Sequence, residues 1–186
     1  SEQPVRGLSL VTDDPRAPMD VEIRRQVDEA IAEADLLLLV VDAKAGVHPM
    51  DSRVVDILRD AQKPWLLVAN KADDPTSTDY YEFYRLGAGD PIPVSAINGK
   101  NSGDLLDIMV EKIPDAPPEA EDALRVAVIG RPNVGKSSFV NRLLGEDRLV
   151  VSDVAGTTRD AIDTPMRYHE RSIVFIDTGG LRRQSR

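Results

Sequence analysis

The tetrapeptide Asn70-Lys71-Ala72-Asp73 stands sixty residues ahead of the octapeptide Gly130-Arg131-Pro132-Asn133-Val134-Gly135-Lys136-Ser137, and each follows directly on an aliphatic segment. Leu36–Asp42, Pro64–Ala69 and Arg125–Ile129 are short and almost wholly aliphatic, the pattern of strands buried on both faces of a parallel sheet. Elsewhere the apolar residues fall at helical spacing. Ile23, Val27, Ala30, Ile31 and Ala34 make one such stripe, Val54, Val55 and Leu58 a second, and Phe139, Val140, Leu143 and Leu144 a third. Strands alternating with helices predict an α/β sheet with right-handed crossovers.

In detail, the pattern predicts helices over about 19–34, 51–61 (started by Met50 or Asp51), 80–86 (closed by Gly87), 104–113 and 136–144. Further strands are expected at Ile92–Val94 and Ser172–Ile176, with 145–165 mostly loop and one edge strand. Residues 1–15 read as a flexible segment or remnant. Residues 16–114 and 124–186 form two structured stretches, joined by the acidic, proline-rich linker 115–123. With aromatic residues at 4%, the core should be aliphatic. Trp65 is expected in it, and Tyr80, Tyr81, Phe83 and Tyr84 are expected to pack one helix.

Charge and composition narrow the function. Thirty-two acidic against 23 basic residues give a net charge of −9, which argues against a broad footprint on a nucleic-acid backbone. Cysteine is absent, so disulfides and thiolate metal sites are excluded, in keeping with a reducing, cytoplasmic setting. The longest aliphatic run, Leu36–Val41, is far too short to cross a bilayer, and no membrane association is expected. His48 and His169 lack ligand spacing and read as surface or loop residues.

Gly130-x4-Gly135-Lys136-Ser137 lies between a predicted strand and a predicted helix, the context in which it cradles phosphates. Its glycines let the amides of Gly130, Asn133, Val134, Gly135, Lys136, Ser137 and Ser138 curve around a β-phosphate at the positive end of the helix. Lys136 should reach the β- and γ-phosphates, and Ser137 should ligate magnesium. Asp177-Thr178-Gly179-Gly180 follows the last predicted strand. There Asp177 can hold magnesium through water, and the Gly180 amide can sense a γ-phosphate. Thr158, with Thr157 the alternative, would close the magnesium shell.

Guanine presents two adjacent donors, N1–H and N2–H, and the Asp73 carboxylate is the matching bidentate acceptor; adenine offers no such pair, which opposes an ATP site. Asn70 would hold the loop and touch N7, Lys71 would lay its stem along the ring, and the amide of Ala96, after Ser95, would meet O6. Together the motifs spell a guanine-nucleotide site. The expected fold is therefore a P-loop NTPase G domain, a mostly parallel sheet with helices on both faces. G domains run phosphate loop first and base motif last. This reversed order marks either a circularly permuted domain or the middle of a tandem pair.

The segments 130–138 (GRPNVGKSS), 152–160 (SDVAGTTRD), 177–180 (DTGG), 70–73 (NKAD) and 95–100 (SAINGK) closely resemble the Der (EngA) family of bacterial GTPases. That family has two tandem G domains and a KH-like domain. The resemblance runs from about Arg16 onward. It implies a GTP/GDP-binding enzyme that uses magnesium, hydrolyses GTP slowly and acts in assembly of the large ribosomal subunit. Residues 16–114 then correspond to the second half of one G domain and 124–186 to the first half of the next. Leu181 stands where other G domains place a water-orienting glutamine. Some relatives instead seat a potassium ion beside a phosphate-loop asparagine, here Asn133. The other class of function that fits is a guanine-nucleotide-binding interaction module without turnover. The linker could let the two stretches join within one chain or be swapped between two.

Overall fold

Strand β1 (Leu36–Asp42) is buried along its whole length, and its alternation explains the architecture. Leu36, Leu38 and Val40 enter one apolar cluster, and Leu37, Leu39 and Val41 enter another on the opposite face. A strand with no polar face must be covered twice. Each buried Leu or Val contributes about 1.5–3 kcal/mol.

The computed structural model describes residues 17–112, 123–145, 150–151, 164–169 and 171–176. In chain order these form α1 (Ala17–Glu33), β1, α2 (Pro49–Asp60), β2 (Trp65–Asn70), a 3-10 helix (Asp79–Leu86), β3 (Ile92–Pro93) and α3 (Ser102–Glu111). Then come β4 (Leu124–Ile129), α4 (Lys136–Leu144), β5 (Val150–Val151), β6 (Thr164–Tyr168) and β7 (Arg171–Ile176). The sheet order is β3-β2-β1-β4-β7-β6-β5. The strands from β3 through β7 pair in parallel, and the β7-β6-β5 edge is antiparallel.

Side chains of α1, α2 and the 3-10 helix (Val27, Val54, Leu58, Phe83) fill the cluster on one face. Those of α3 and α4 (Leu105, Met109, Phe139, Leu143) fill the other. The expected mostly parallel α/β sheet, covered on both faces, is what forms. Strands from both sides of 113–122 share it: β1 pairs with β2 on one side and with β4 on the other. The proposed linker and the remnant 1–15 lie outside the described residues, apart from Ala123.

Four expectations need correction. The helix expected to begin at Met50 or Asp51 is capped by His48: its Nδ1 accepts the Met50 amide at 3.1 Å, while its own amide donates to Asp51 at 2.9 Å. His48, read as a surface or loop residue, lies in the loop ahead of the helix and caps it. The stretch 80–86 is a 3-10 helix, where residues three apart eclipse. Phe83 and Leu86 therefore share the buried side, while Tyr81 and Tyr84 share the exposed side at 52% and 47%, so only part of the aromatic cluster packs. Trp65 is half-buried at the start of β2 rather than in the core. Finally, Thr164–Tyr168 is a strand pairing β7 through a turn at His169. Met166 and Tyr168 are buried and Arg167 exposed, a two-residue alternation that Pro165 and Arg167 hide in the sequence.

Candidate nucleotide-binding site

The order β2-β1-β4 sends the loops after β2 and β4 out of the same end of the sheet, one on each side of β1. The phosphate-loop motif occupies the second of these loops. At Gly130 the backbone runs so close to β1 that a Cβ would collide with the Val40 carbonyl oxygen. Gly135 is left-handed at φ 91°, and a Cβ there would fall 2.5 Å from the side-chain nitrogen of Asn70. Val134 is buried and anchors the loop in the core. Asn133, also left-handed at φ 64°, is exposed. Ser137 and Ser138 follow in the first turn of α4, the first half-buried and the second exposed.

Lys136 opens α4, and its Nζ donates to the carbonyls of Gly130 (2.5 Å) and Arg131 (3.2 Å). Burial lowers its pKa below the ordinary 10.5, because two neutral carbonyls replace water around an ammonium. The lysine thus reaches back over the loop whose amides are expected to form the phosphate cradle. The cradle's glycines are required by space, and its lysine is under-solvated. Both features fit a phosphate chain.

The base motif lies against this loop. Asn70, buried, donates from Nδ2 to the Val134 carbonyl at 3.0 Å and accepts the Ala96 amide at Oδ1 at 3.2 Å. Both ends of its amide thus hold protein, so Asn70 is a joint between three loops, and the Ala96 amide assigned to O6 is turned toward it. Lys71 spans the gap between motifs, its Nζ at 2.7 Å from Asp42 Oδ2 and 2.9 Å from the Asn133 carbonyl. Asp73 accepts the buried Ser95 hydroxyl at 2.6 Å on Oδ1 and Lys44 at 2.5 Å on Oδ2. These two donors, Lys44 first, hold its carboxyl below the usual value of 3.8. An ionised carboxylate is what two guanine N–H groups need.

Three contributors escaped the sequence reading. Asp42, last residue of β1, accepts the amides of Lys44 and Ala45 as well as Lys71. Burial pushes its pKa up, but Lys71 and the two amides outweigh this, so it lies below 3.8. Lys44 is bound to Asp73, and Arg131 pairs with Asp51, whose side chain is 1% exposed. A charged residue at the strand end or just past it was the available signal for Asp42 and Lys44. Nothing in the sequence links Asp51 to Arg131, eighty positions away. Thr157, Thr158, Asp177, Gly180 and Leu181 lie outside the described residues.

The profile described as "Elongation factor Tu GTP binding domain" matches residues 18–115, and that described as "50S ribosome-binding GTPase" matches residues 125–186. Proteins named GTPase Der are similar over both stretches at once. That of Gemmatimonas aurantiaca is 71% identical over 176 residues, covering 95% of this chain and 40% of its own length. The chain belongs to the Der family. The GTPase Der of Pelotomaculum thermopropionicum is 59% identical over 170 residues (88% of this chain, 38% of that protein). That of Moorella thermoacetica is 51% identical over 184 (97% and 41%). The chain thus spans about two fifths of the length of these Der relatives.

Proposed function

We propose that this Der-family chain binds GTP and GDP with magnesium, and that it hydrolyses GTP slowly to GDP and phosphate. The observation that carries the reading is the Asn70–Val134 hydrogen bond, which fixes the base-reading loop against the phosphate loop at one end of one sheet. Residues 16–114 supply the base subsite, residues 124–186 the phosphate subsite, and 115–123 join them. The match covers 95% of this chain and only 40% of its relative, as the middle of a tandem pair would, and within this chain the two halves complete one site in permuted motif order.

In this reading Asp73 accepts guanine N1–H and N2–H, Ser95 holds that carboxylate, and Ala96 borders the base. Lys136 exchanges its two carbonyls for β- and γ-phosphate oxygens, while the amides from Asn133 to Ser138 enclose the β-phosphate. Ser137, with Thr158 and Asp177, would hold magnesium, which neutralises charge on the phosphates. The Gly180 amide meets the γ-phosphate. A potassium ion held at Asn133 would supply positive charge to the phosphates, compensating for Leu181. The 125–186 profile, described as that of a 50S ribosome-binding GTPase, supports a place in large-ribosomal-subunit assembly, and a cytoplasmic setting is proposed with it. The linker also supports exchange of halves between two chains as a form of self-association.

Titration with GDP and ADP, followed by phosphate release from GTP in potassium and in sodium, tests this. Expected are at least about a hundredfold preference for GDP, since a buried charge-assisted pair is at stake, and faster release in potassium. Equal affinity for ADP refutes the base assignment, and equal rates in the two salts refute the potassium site. Selective binding with no phosphate release would leave the non-hydrolysing interaction module.

A further inference from the structure

Arg142 lies two turns into α4, the helix that begins at the phosphate-loop lysine, yet its side chain serves the other motif. Its Nε donates to the Ala96 carbonyl at 2.8 Å, and its Nη2 donates to the Ile97 carbonyl. The guanidinium rests against Gly99, which is left-handed at φ 68°; a Cβ there would stand 3.3 Å from the Arg142 Cζ. Ala96, Ser138, Asn141, Arg142 and Gly145 line a cleft between this loop and the helix, so Arg142 is a strut across an opening.

The strut continues to the base-reading carboxylate. The Ile97 carbonyl belongs to the same peptide as the Asn98 N–H, which donates to Ser95 Oγ at 3.1 Å. The Ser95 hydroxyl in turn donates to Asp73 Oδ1 at 2.6 Å. Every link runs head to tail: guanidinium to carbonyl, amide to hydroxyl, hydroxyl to carboxylate. In such a chain each bond polarises the next and fixes its direction. Gripping two successive carbonyls suits the planar fork of arginine better than the single point charge of lysine.

We infer that Arg142 is a positioning residue for guanine recognition, holding the 95–100 loop so that Ser95 aims Asp73, and thereby tying base reading to the phosphate-loop helix. This rests on the guanine-nucleotide reading above. The test compares GDP with IDP, whose base lacks the N2 amino group, in calorimetric titrations of the full chain and of Arg142→Met and Arg142→Lys. Arg142→Met keeps the aliphatic stem. Its GDP affinity should fall about tenfold, and IDP affinity less, so the GDP/IDP ratio contracts as one aligned hydrogen bond is lost. Arg142→Lys keeps charge and stem, and so the fold, and should contract the ratio to a smaller extent. A loss of packing alone would lower both affinities by the same factor. Equal losses, or an unchanged ratio in both variants while the unsubstituted chain prefers GDP, overturn the strut alone. An unsubstituted chain that binds neither nucleotide overturns the guanine reading, and the strut with it.

Discussion

Asp51 and Arg131 allow a quantitative test of how the phosphate loop is held. The Asp51 carboxylate is 1% exposed, and among the described residues it accepts from Arg131 Nε at 3.2 Å on one oxygen and the His48 amide at 2.9 Å on the other. Arg131 is 19% exposed, and its carbonyl is one of the two that receive Lys136. Removing either partner therefore has unequal consequences. Arg131→Met leaves a buried carboxylate with one amide for company, which should destabilise by about 3 kcal/mol, the lower end for an unpaired buried charge. Asp51→Asn keeps an acceptor for His48 and leaves a cation that can turn to water, so about 1–2 kcal/mol is expected. In the double variant no charge is stranded, and the loss should be about 2 kcal/mol smaller than the sum of the singles. Urea unfolding of the four proteins without nucleotide measures each term. If the singles add to within about 0.5 kcal/mol, or if Asp51→Asn is the worse of the two, the buried pair does not hold the loop as argued.

Three further outcomes are expected. Lys136→Met should abolish nucleotide binding while leaving the nucleotide-free protein equally or more stable, because the substitution removes an under-solvated ammonium; thermal melts with and without GDP decide this. Asp73→Asn should shift preference from guanine to xanthine nucleotides, whose C2 carbonyl accepts the new amide hydrogen, as competition between GDP and XDP would show. Asp42 titrates below 3.8 in the folded chain, so the unfolded state binds more protons in that window. Its stabilisation is complete above pH 3.8 and lost as pH falls through the folded value. Urea midpoints should therefore drop on the acid side, and Asp42→Asn should flatten that limb. Asp73 also titrates low, but its partner Lys44 is mostly exposed, so it should contribute little to the same limb.

Much of this was legible in residues 36–42, 64–70 and 124–129, because continuous aliphatic segments leave no choice but a twice-covered sheet. The motifs marked the loops because their glycines and short polar residues interrupt those segments abruptly. What escaped were contacts whose partners are distant in sequence. Asn70 meets Val134 across 64 positions and Arg142 meets Ala96 across 46, and neither pairing has a local pattern. The β6 strand was hidden for a different reason. An antiparallel strand needs only every second residue to be apolar, and Met166 and Tyr168 are too few to outweigh the proline and arginine among them.

Gly135 shows why the two motifs are better regarded as one. Read alone, its lack of a side chain serves the phosphate loop, because the chain must turn with a positive φ ahead of the helix. In the folded chain the space a Cβ would fill belongs to the Asn70 amide, 2.5 Å away, while Asn70 holds the carbonyl of the preceding residue, Val134. Lys71 repeats the arrangement one step along, joining the Asn133 carbonyl to Asp42 at the end of β1. Two successive residues of the base motif thus grip two successive peptides of the phosphate loop, and β1 lies between their parent strands as a common spacer. Motif order along the chain is then immaterial to the site. The requirement is that β2 and β4 flank β1, which the parallel pairing of β1 with both provides.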